Sequence, residues 1–134
     1  MKIAVSGATG RMGKLIIETV LNSDNLELVA AVTAPGVAEI GTDAGASLGK
    51  TTGILISANV EELAQADVLI DFTRPQATLA YLPFCVKHNV GVVIGTTGFD
   101  AQGKAQIAEA AKTVPVVFAP NMSVGVNSVL KLLE

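Results

Sequence analysis

The sequence contains few of the residues on which several classes of protein depend. The single cysteine, Cys85, excludes an internal disulfide, and the single histidine, His88, leaves too few ligands for a His/Cys metal cluster. The 9 basic and 12 acidic residues give a net charge of −3, so no basic stripe is available for a nucleic acid. Apolar runs all fall short of the ~20 residues that span a bilayer, so we expect no contact with a membrane.

Two further features narrow the class of protein. Aromatic residues make up only 4% of the chain and tryptophan is absent, which argues against an aromatic-rich binding surface. A lone cysteine fits a reducing compartment, and the chain opens directly on an apolar strand rather than a signal peptide. We therefore expect a cytoplasmic protein. Its 134 residues, half of them hydrophobic, are enough for one α/β domain with a sizeable core.

Apolar segments of strand length alternate with segments of helical period along the whole chain. Asn59, Thr73 and Asp100 stand where helices would begin and are predicted to cap them. Pro83 lies inside a helical pattern and is predicted to kink it. Residues 33–53 have no period and are predicted to form a long, mobile loop. The predicted strands are 2–6, 26–32, 54–57, 68–72, 90–94 and 114–118, and the predicted helices are 11–21, 60–66, about 74–88, about 101–112 and 126–134.

The strands are near-continuous Val/Ile/Leu runs, as in a parallel sheet that helices cover on both faces. This pattern predicts a Rossmann-type, doubly wound α/β fold. Right-handed crossovers bring the carboxyl ends of all strands to one edge, where open α/β sheets bind ligands. Small and hydroxyl residues, including Ser6, Thr33, Thr73, Thr96 and Thr97, follow those strand ends. Asp71, inside a predicted strand, is interpreted as a buried structural acid that accepts hydrogen bonds.

Three glycines, Gly7, Gly10 and Gly13, join the first strand to the first helix. In nucleotide-binding turns, one glycine permits the sharp turn, one lets a pyrophosphate approach the backbone, and one lets the helix pack closely on the strand. The helix then presents unpaired N–H groups to the phosphates. The spacing here is G-x-x-G-x-x-G rather than G-x-G-x-x-G, so the spacing alone is weak evidence and its interpretation depends on the surrounding fold. Beside a parallel sheet, it predicts dinucleotide binding.

Four segments resemble the N-terminal domain of bacterial dihydrodipicolinate reductases: GATGRMG (7–13), IDFTRP (70–75), VIGTTGFD (93–100) and FAPNMSVGVNSVLKLL (118–133). The resemblance implies a nicotinamide cofactor, NADH or NADPH, with the pyrophosphate on the glycine turn. Thr97 would lie nearest the substrate. The cofactor-binding residues that it implies are Gly7, Ala8, Thr9, Gly10, Arg11, Met12, Thr33, Phe72, Thr73, Arg74, Gly95, Thr96, Thr97, Ala119, Pro120, Asn121 and Met122.

One position departs from the usual pattern of such folds. The second strand ends at Thr33 and Ala34, where a carboxylate commonly binds the ribose of NAD or an arginine binds the phosphate of NADP. Neither charge is present. The preference between NADH and NADPH is therefore open, and Arg11 is a candidate for a substitute phosphate ligand.

The resemblance also implies a second domain that binds a cyclic dicarboxylate substrate and supplies a proton. Residues 1–126 are predicted to form the cofactor domain and 127–134 the start of a hinge helix, which makes the chain a fragment with no catalytic residue or metal site of its own. The whole protein is expected to be a homotetramer that reduces hydroxytetrahydrodipicolinate in diaminopimelate and lysine synthesis. Two alternatives are the cofactor domain of an aspartate- or homoserine-type dehydrogenase and a non-enzymatic dinucleotide sensor.

Overall fold

Residues 1–118 form six parallel strands and three α-helices. The computed structural model describes residues 1–118, so the predicted helix at 126–134 and residues 119–122 lie outside the described part. A 3₁₀ turn at Ala46–Leu48 and a 3₁₀ helix at Val60–Gln65 complete the secondary structure. The strands are β1 (Lys2–Ser6), β2 (Glu27–Val32), β3 (Ile56–Ser57), β4 (Val68–Asp71), β5 (Gly91–Ile94) and β6 (Val116–Phe118), and the helices are α1 (Arg11–Leu21), α2 (Pro75–Lys87) and α3 (Ala101–Ala110).

The strand order is β3-β2-β1-β4-β5-β6, and every neighbouring pair is parallel. The chain therefore winds outwards from β1 in one direction and then, from β4, in the other. The point between β1 and β4, where the winding reverses, is where open α/β sheets form a crevice beyond the strand ends. The predicted Rossmann-type fold is confirmed.

The core lies in two layers, one on each face of the sheet. Ile16, Ile17 and Val20 of α1 pack on the face that carries Ile3 and Val5 of β1. The opposite face carries Ala4, against which helices α2 and α3 and the 3₁₀ helix pack; their buried residues include Leu63, Leu82, Cys85 and Ile107. Ile3, Ala4 and Val5 thus point alternately to opposite apolar layers, which is why these three successive residues are all apolar.

The starts of three predicted helices can be compared with the structure. The segment predicted as a helix at 60–66 is a 3₁₀ helix, although Asn59 caps it as expected, accepting a bond of 3.0 Å from the Glu61 N–H. Asp100 caps α3 as predicted by accepting from the Gly103 N–H at 2.7 Å. The cap predicted at Thr73 is wrong. Arg74 occupies the N-cap position of α2 without a side-chain bond, since the Thr73 hydroxyl donates to buried Asp71 instead.

The segment predicted as a mobile loop has a defined hydrogen-bonding pattern. Its second half folds back beside β3, where Asp43 and Leu55 form an antiparallel bridge. The Asp43 carboxylate accepts bonds from the N–H groups of Gly45, Thr52 and Gly53 and from the Thr52 hydroxyl, at 2.8 to 3.0 Å. These bonds, the one from Gly45 foremost, lower the Asp43 pKa to about 2. One carboxylate therefore closes a ten-residue loop that has no apolar period of its own.

Among the described helices, none has both the length and the apolar character needed to cross a membrane.

Candidate functional site: two clefts at the carboxyl edge of the sheet

Each glycine of the turn after β1 has a different structural position. Gly7 has a φ of +72°, and a Cβ there would lie 2.5 Å from the Phe72 carbonyl oxygen. A Cβ on Gly13 would lie only 2.0 Å from the Gly7 carbonyl oxygen, so α1 packs against the turn only because residue 13 has no side chain. Both glycines are therefore required by the fold itself.

Gly10 differs from the other two glycines because the protein leaves the space beside it open. Its φ of −77° and ψ of 168° suit any residue, and an added Cβ would meet only the Gly7 carbonyl oxygen, at 3.4 Å. Gly10 is exposed and is the N-cap of α1, whose first turn has neither a side-chain cap nor an acidic residue. The N–H groups and the positive end of the helix dipole therefore face an open surface, which suits an anion.

Two clefts meet at this turn. The larger cleft has a volume of about 890 Å³ and extends towards the end of β2; the smaller cleft, of about 290 Å³, extends towards the end of β5. Gly10, Phe72 and Thr73 line both. The two clefts together extend over the ends of β2, β1, β4 and β5, a span of roughly 14 Å at the usual strand spacing.

The larger cleft has apolar walls and one cationic residue. Ala34, Pro35, Val37 and Ala58 form the wall on the side of β2 and β3, and Ala77, Ala80 and Tyr81 form the wall on α2. Burial, and then the negative charge of Asp71, raises the pKa of Tyr81 above its ordinary 10.0, so the phenol keeps its proton at neutral pH. Arg74 is exposed at the rim and forms no ion pair within residues 1–118.

The sequence interpretation missed the α2 wall of the larger cleft. Ala77, Ala80 and Tyr81 recur at helical spacing and so share one face of α2, which is a signal that the sequence contains. The interpretation assigned this helix only a core face, because leucines and valines dominate the hydrophobic pattern. The small side chains of Ala77 and Ala80 leave space beside α2, and this space becomes a cleft only when the helix is packed on the sheet.

The smaller cleft lies between the start of α1 and the loop after β5. Arg11, Met12 and Gly13 form one side, and Gly95, Thr96 and Thr97 form the other. Gly95 lies directly under the Phe72 ring, since a Cβ there would be 2.0 Å from a ring carbon. Thr97 is exposed, whereas Thr96 is only 3% exposed.

The floor between the two clefts is a buried carboxylate surrounded by hydroxyl groups. Asp71, the last residue of β4, is completely buried. One of its oxygens accepts from the hydroxyls of Ser6 at 2.5 Å and Thr73 at 2.8 Å. The other oxygen accepts from the hydroxyls of Thr78 and Thr96, the latter at 3.2 Å. Asp71 thus connects the ends of β1, β4 and β5 and the start of α2, which confirms its interpretation as a hydrogen-bonded buried acid.

These bonds also fix the direction of the hydroxyl groups. The Thr73 and Thr96 hydroxyls donate to Asp71, so neither directs its proton at the smaller cleft. Thr96 also accepts from the Thr73 N–H at 3.0 Å. On the other side of the turn, the hydroxyls of Thr9 and Thr33 lie 3.1 Å apart, so each already has a partner.

The structure brings together most of the residues proposed from the sequence as cofactor ligands. All of those among the described residues line one or both clefts except Ala8. Ala8 is 1% exposed, packs in the core under α1 and donates its N–H to the Val32 carbonyl. His88 is the C-cap of α2, seven residues beyond Tyr81, and so about 10 Å along the helix from the last residue that lines the larger cleft.

The parallel sheet, the glycine turn and the two clefts at the point of reversal define a Rossmann-type nucleotide-binding domain. Comparison with known proteins identifies the family. The sequence model described as "Dihydrodipicolinate reductase, N-terminus" matches residues 1–122, and the chain belongs to that family of nucleotide-binding domains.

Relatives named 4-hydroxy-tetrahydrodipicolinate reductase cover nearly all of this chain. The protein of Cupriavidus metallidurans is 58% identical over 100% of the chain and 51% of its own length. That of Bordetella parapertussis is 54% identical over 99% of the chain and 49% of its own length. The chain thus spans about half the length of these relatives.

Two solved structures are similar to the fold. A dipicolinate-bound dihydrodipicolinate reductase from Paenisporosarcina sp. TG-14 superposes with a TM-score of 0.72 at 28% identity, over 90% of this chain and 47% of that one. A Sinorhizobium meliloti protein assigned as a myo-inositol dehydrogenase has a TM-score of 0.65 at 16% identity, over 89% of this chain and 36% of that one, and shares the fold alone. The family match favours a reductase of this kind over the aspartate- or homoserine-type dehydrogenase considered from the sequence.

Proposed function

We propose that this chain is the cofactor domain of a 4-hydroxy-tetrahydrodipicolinate reductase and that it binds NADH or NADPH across the two clefts. The observation that carries the proposal is the open space at Gly10. The fold requires the glycines at positions 7 and 13, whereas nothing among residues 1–118 fills the place of a Cβ at position 10. An anionic group that approaches the N-terminus of α1 explains a glycine there.

The clefts fit the two halves of a dinucleotide. Gly10, Arg11 and Met12 would hold the pyrophosphate at their meeting point. The larger cleft would take the adenosine half, because the alanines and Tyr81 on its walls suit a flat apolar ring. The nicotinamide half would lie in the smaller cleft, beside Phe72 and Gly95, with residues 119–122 as further proposed ligands.

A reduced nicotinamide supplies a hydride, and the protein must orient the ring and keep water away from it. Gly95 and Phe72 form a closely packed surface that permits such orientation. Thr97 is the exposed one of the two adjacent threonines, so its hydroxyl is proposed to contact the substrate. The whole protein is proposed to reduce the cyclic imine that forms from hydroxytetrahydrodipicolinate by loss of water, and to release tetrahydrodipicolinate.

The preference between the two coenzymes is proposed to be weak. The Thr33 hydroxyl is already paired with that of Thr9, and Ala34 has no charge, so the end of β2 lacks a group that recognises the 2′ position. Arg11 lines the smaller cleft, on the other side of the turn. Arg74 lines the larger cleft and is the better candidate among the described residues for an added phosphate.

The other half of the protein is proposed to complete the active site. Since the relatives are about twice as long as this chain, we assign the proton donor and the ligands of the substrate's carboxylates to the remaining half. The boundary at 126–127, the homotetramer and the cytoplasmic location are parts of the same proposal.

The test compares residues 1–134 alone with the full-length protein. Both should bind NADH in a calorimetric titration, but only the full-length protein should oxidise NADPH when supplied with the dihydrodipicolinate substrate. Holding both reactants in register lowers the activation barrier by on the order of 7–11 kcal/mol, and the fragment is proposed to hold only the cofactor. Turnover by the fragment would place the substrate site within these residues and contradict the two-domain proposal. Binding by neither protein would contradict the proposed cofactor.

A further inference from the structure

Asp71 is a buried charge, and no cation among residues 1–118 pairs with it. Its four bonding partners are all neutral hydroxyl groups. Within residues 1–118 the ion pair present is the exposed one between Lys112 and Glu109, on α3 and the turn after it. Burial of an unpaired charge is unfavourable, and hydroxyl groups compensate for it less well than a cation does.

The carboxylate lies one layer of hydroxyl groups below the smaller cleft. Thr73 and Thr96 line that cleft, and their hydroxyl oxygens are 2.8 and 3.2 Å from the carboxylate oxygens. Since both hydroxyls donate to Asp71, neither turns its proton towards the cleft, where it would offset the field of the carboxylate. Asp71 therefore contributes a negative potential from below the smaller cleft, opposite in sign to that of Arg11 and the start of α1 on one side.

A dinucleotide cofactor has one part that suits this potential. Its phosphates are anionic and its adenine is neutral, whereas the nicotinamide ring is neutral when reduced and carries a positive charge when oxidised. We propose that Asp71 is a buried counter-charge that favours the oxidised, cationic nicotinamide over the reduced one in the smaller cleft. This inference rests on the proposed function. Asp71 would act without touching the cofactor, by making the reduced ring a better hydride donor.

The test measures affinity in the full-length protein, not activity. Dissociation constants for NAD⁺ and NADH are obtained by calorimetric titration for the wild type, Asp71→Asn and Thr78→Val. Asn retains the shape of Asp but removes the charge. Thr78→Val is the matched control, because it removes the Thr78 hydroxyl contacts with Asp71, Thr73 and Thr96 from the same cluster and retains the charge. It also alters a residue that lines neither cleft.

Asp71→Asn should raise the ratio of the NAD⁺ to the NADH dissociation constant about tenfold. The reason is that only one layer of hydroxyl groups would separate the Asp71 carboxylate from the positive nicotinamide ring. A tenfold change corresponds to a rise of about 30 mV in the midpoint potential of the bound cofactor. Thr78→Val should leave the ratio within about twofold of wild type, whatever its effect on stability. An unchanged ratio in Asp71→Asn, or equal changes in both variants, would overturn the inference and leave the proposed function intact.

A second measurement needs no variant, in case Asp71→Asn does not fold. The wild type should bind NAD⁺ about tenfold more tightly than the analogue in which a neutral benzamide replaces the nicotinamide ring. Equal affinity for the two would refute the role of charge. If the wild type bound none of these dinucleotides, the proposed function would fail and this inference with it.

Discussion

Gly10→Val separates the role of the glycine turn in folding from its role in binding. In the folded domain, the new side chain would start from a Cβ that meets only the Gly7 carbonyl oxygen, at 3.4 Å. The extended backbone at position 10 suits a β-branched residue. Loss of a glycine N-cap lowers the free energy of unfolding by about 1 kcal/mol or less. Valine offsets part of that loss because it reduces the conformational freedom of the unfolded chain. We therefore expect a folded variant with a nearly unchanged free energy of unfolding.

Binding should respond very differently. A valine side chain at the N-cap would stand where a pyrophosphate must approach the N–H groups of Arg11 and Met12. A hydrogen bond to a charged group contributes about 1.5–3 kcal/mol, so loss of two would weaken binding by at least about 3 kcal/mol. That corresponds to a loss of affinity for NADH and NADPH of at least roughly a hundredfold.

The assay is calorimetric titration with both coenzymes, together with denaturant unfolding of each variant. Leu15→Val is the matched control: it introduces the same side chain on an exposed position of α1, 49% accessible and outside both clefts. Gly13→Ala is the opposite control and should unfold the domain, because its Cβ would collide with the Gly7 backbone. A folded Gly10→Val variant that bound the coenzymes within about threefold of wild type would refute a phosphate site at this turn.

Three other predictions concern charge and reactivity. NADH and NADPH should bind within about tenfold of each other, since no charged group stands at the end of β2; if calorimetry shows a larger preference for NADPH, Arg74→Gln should abolish it. Because the Asp43 pKa is lowered from 3.8 to about 2, its carboxylate stabilises the fold above pH 3.8, and that contribution is lost as the pH falls towards 2. The free energies of unfolding of wild type and Asp43→Asn, measured in urea, should therefore converge over that range. A constant difference between them would contradict the prediction. Burial, and then the charge of Asp71, raises the Cys85 pKa to about 12, so thiol reagents should modify it at pH 8 only in denaturant, and rapid modification of the native protein would contradict its burial.

Local sequence was sufficient for the elements whose pattern is strong. β1 and α1 begin and end where the sequence predicts, because an apolar run, a glycine turn and a helical apolar stripe follow one another without ambiguity. Asn59 and Asp100 cap the segments that follow them, since a cap acts over two or three residues. The position of the turn at Gly7 to Gly13 was evident for the same reason.

What the sequence could not determine depends on groups that are distant along the chain. The Thr73 hydroxyl could cap a helix or bond a buried acid, and the second outcome requires Ser6, Thr78 and Thr96 to converge on Asp71. Asp43 closes its loop through Thr52 and Gly53, about ten residues away, where no periodic pattern could reveal it. By itself, the sequence determined the fold class and the place of the glycine turn, because both follow from local periods and backbone sterics. Only the tertiary structure decided which hydroxyl groups surround the buried carboxylate and which are left to meet a ligand, because a hydroxyl proton goes to the strongest acceptor within its reach.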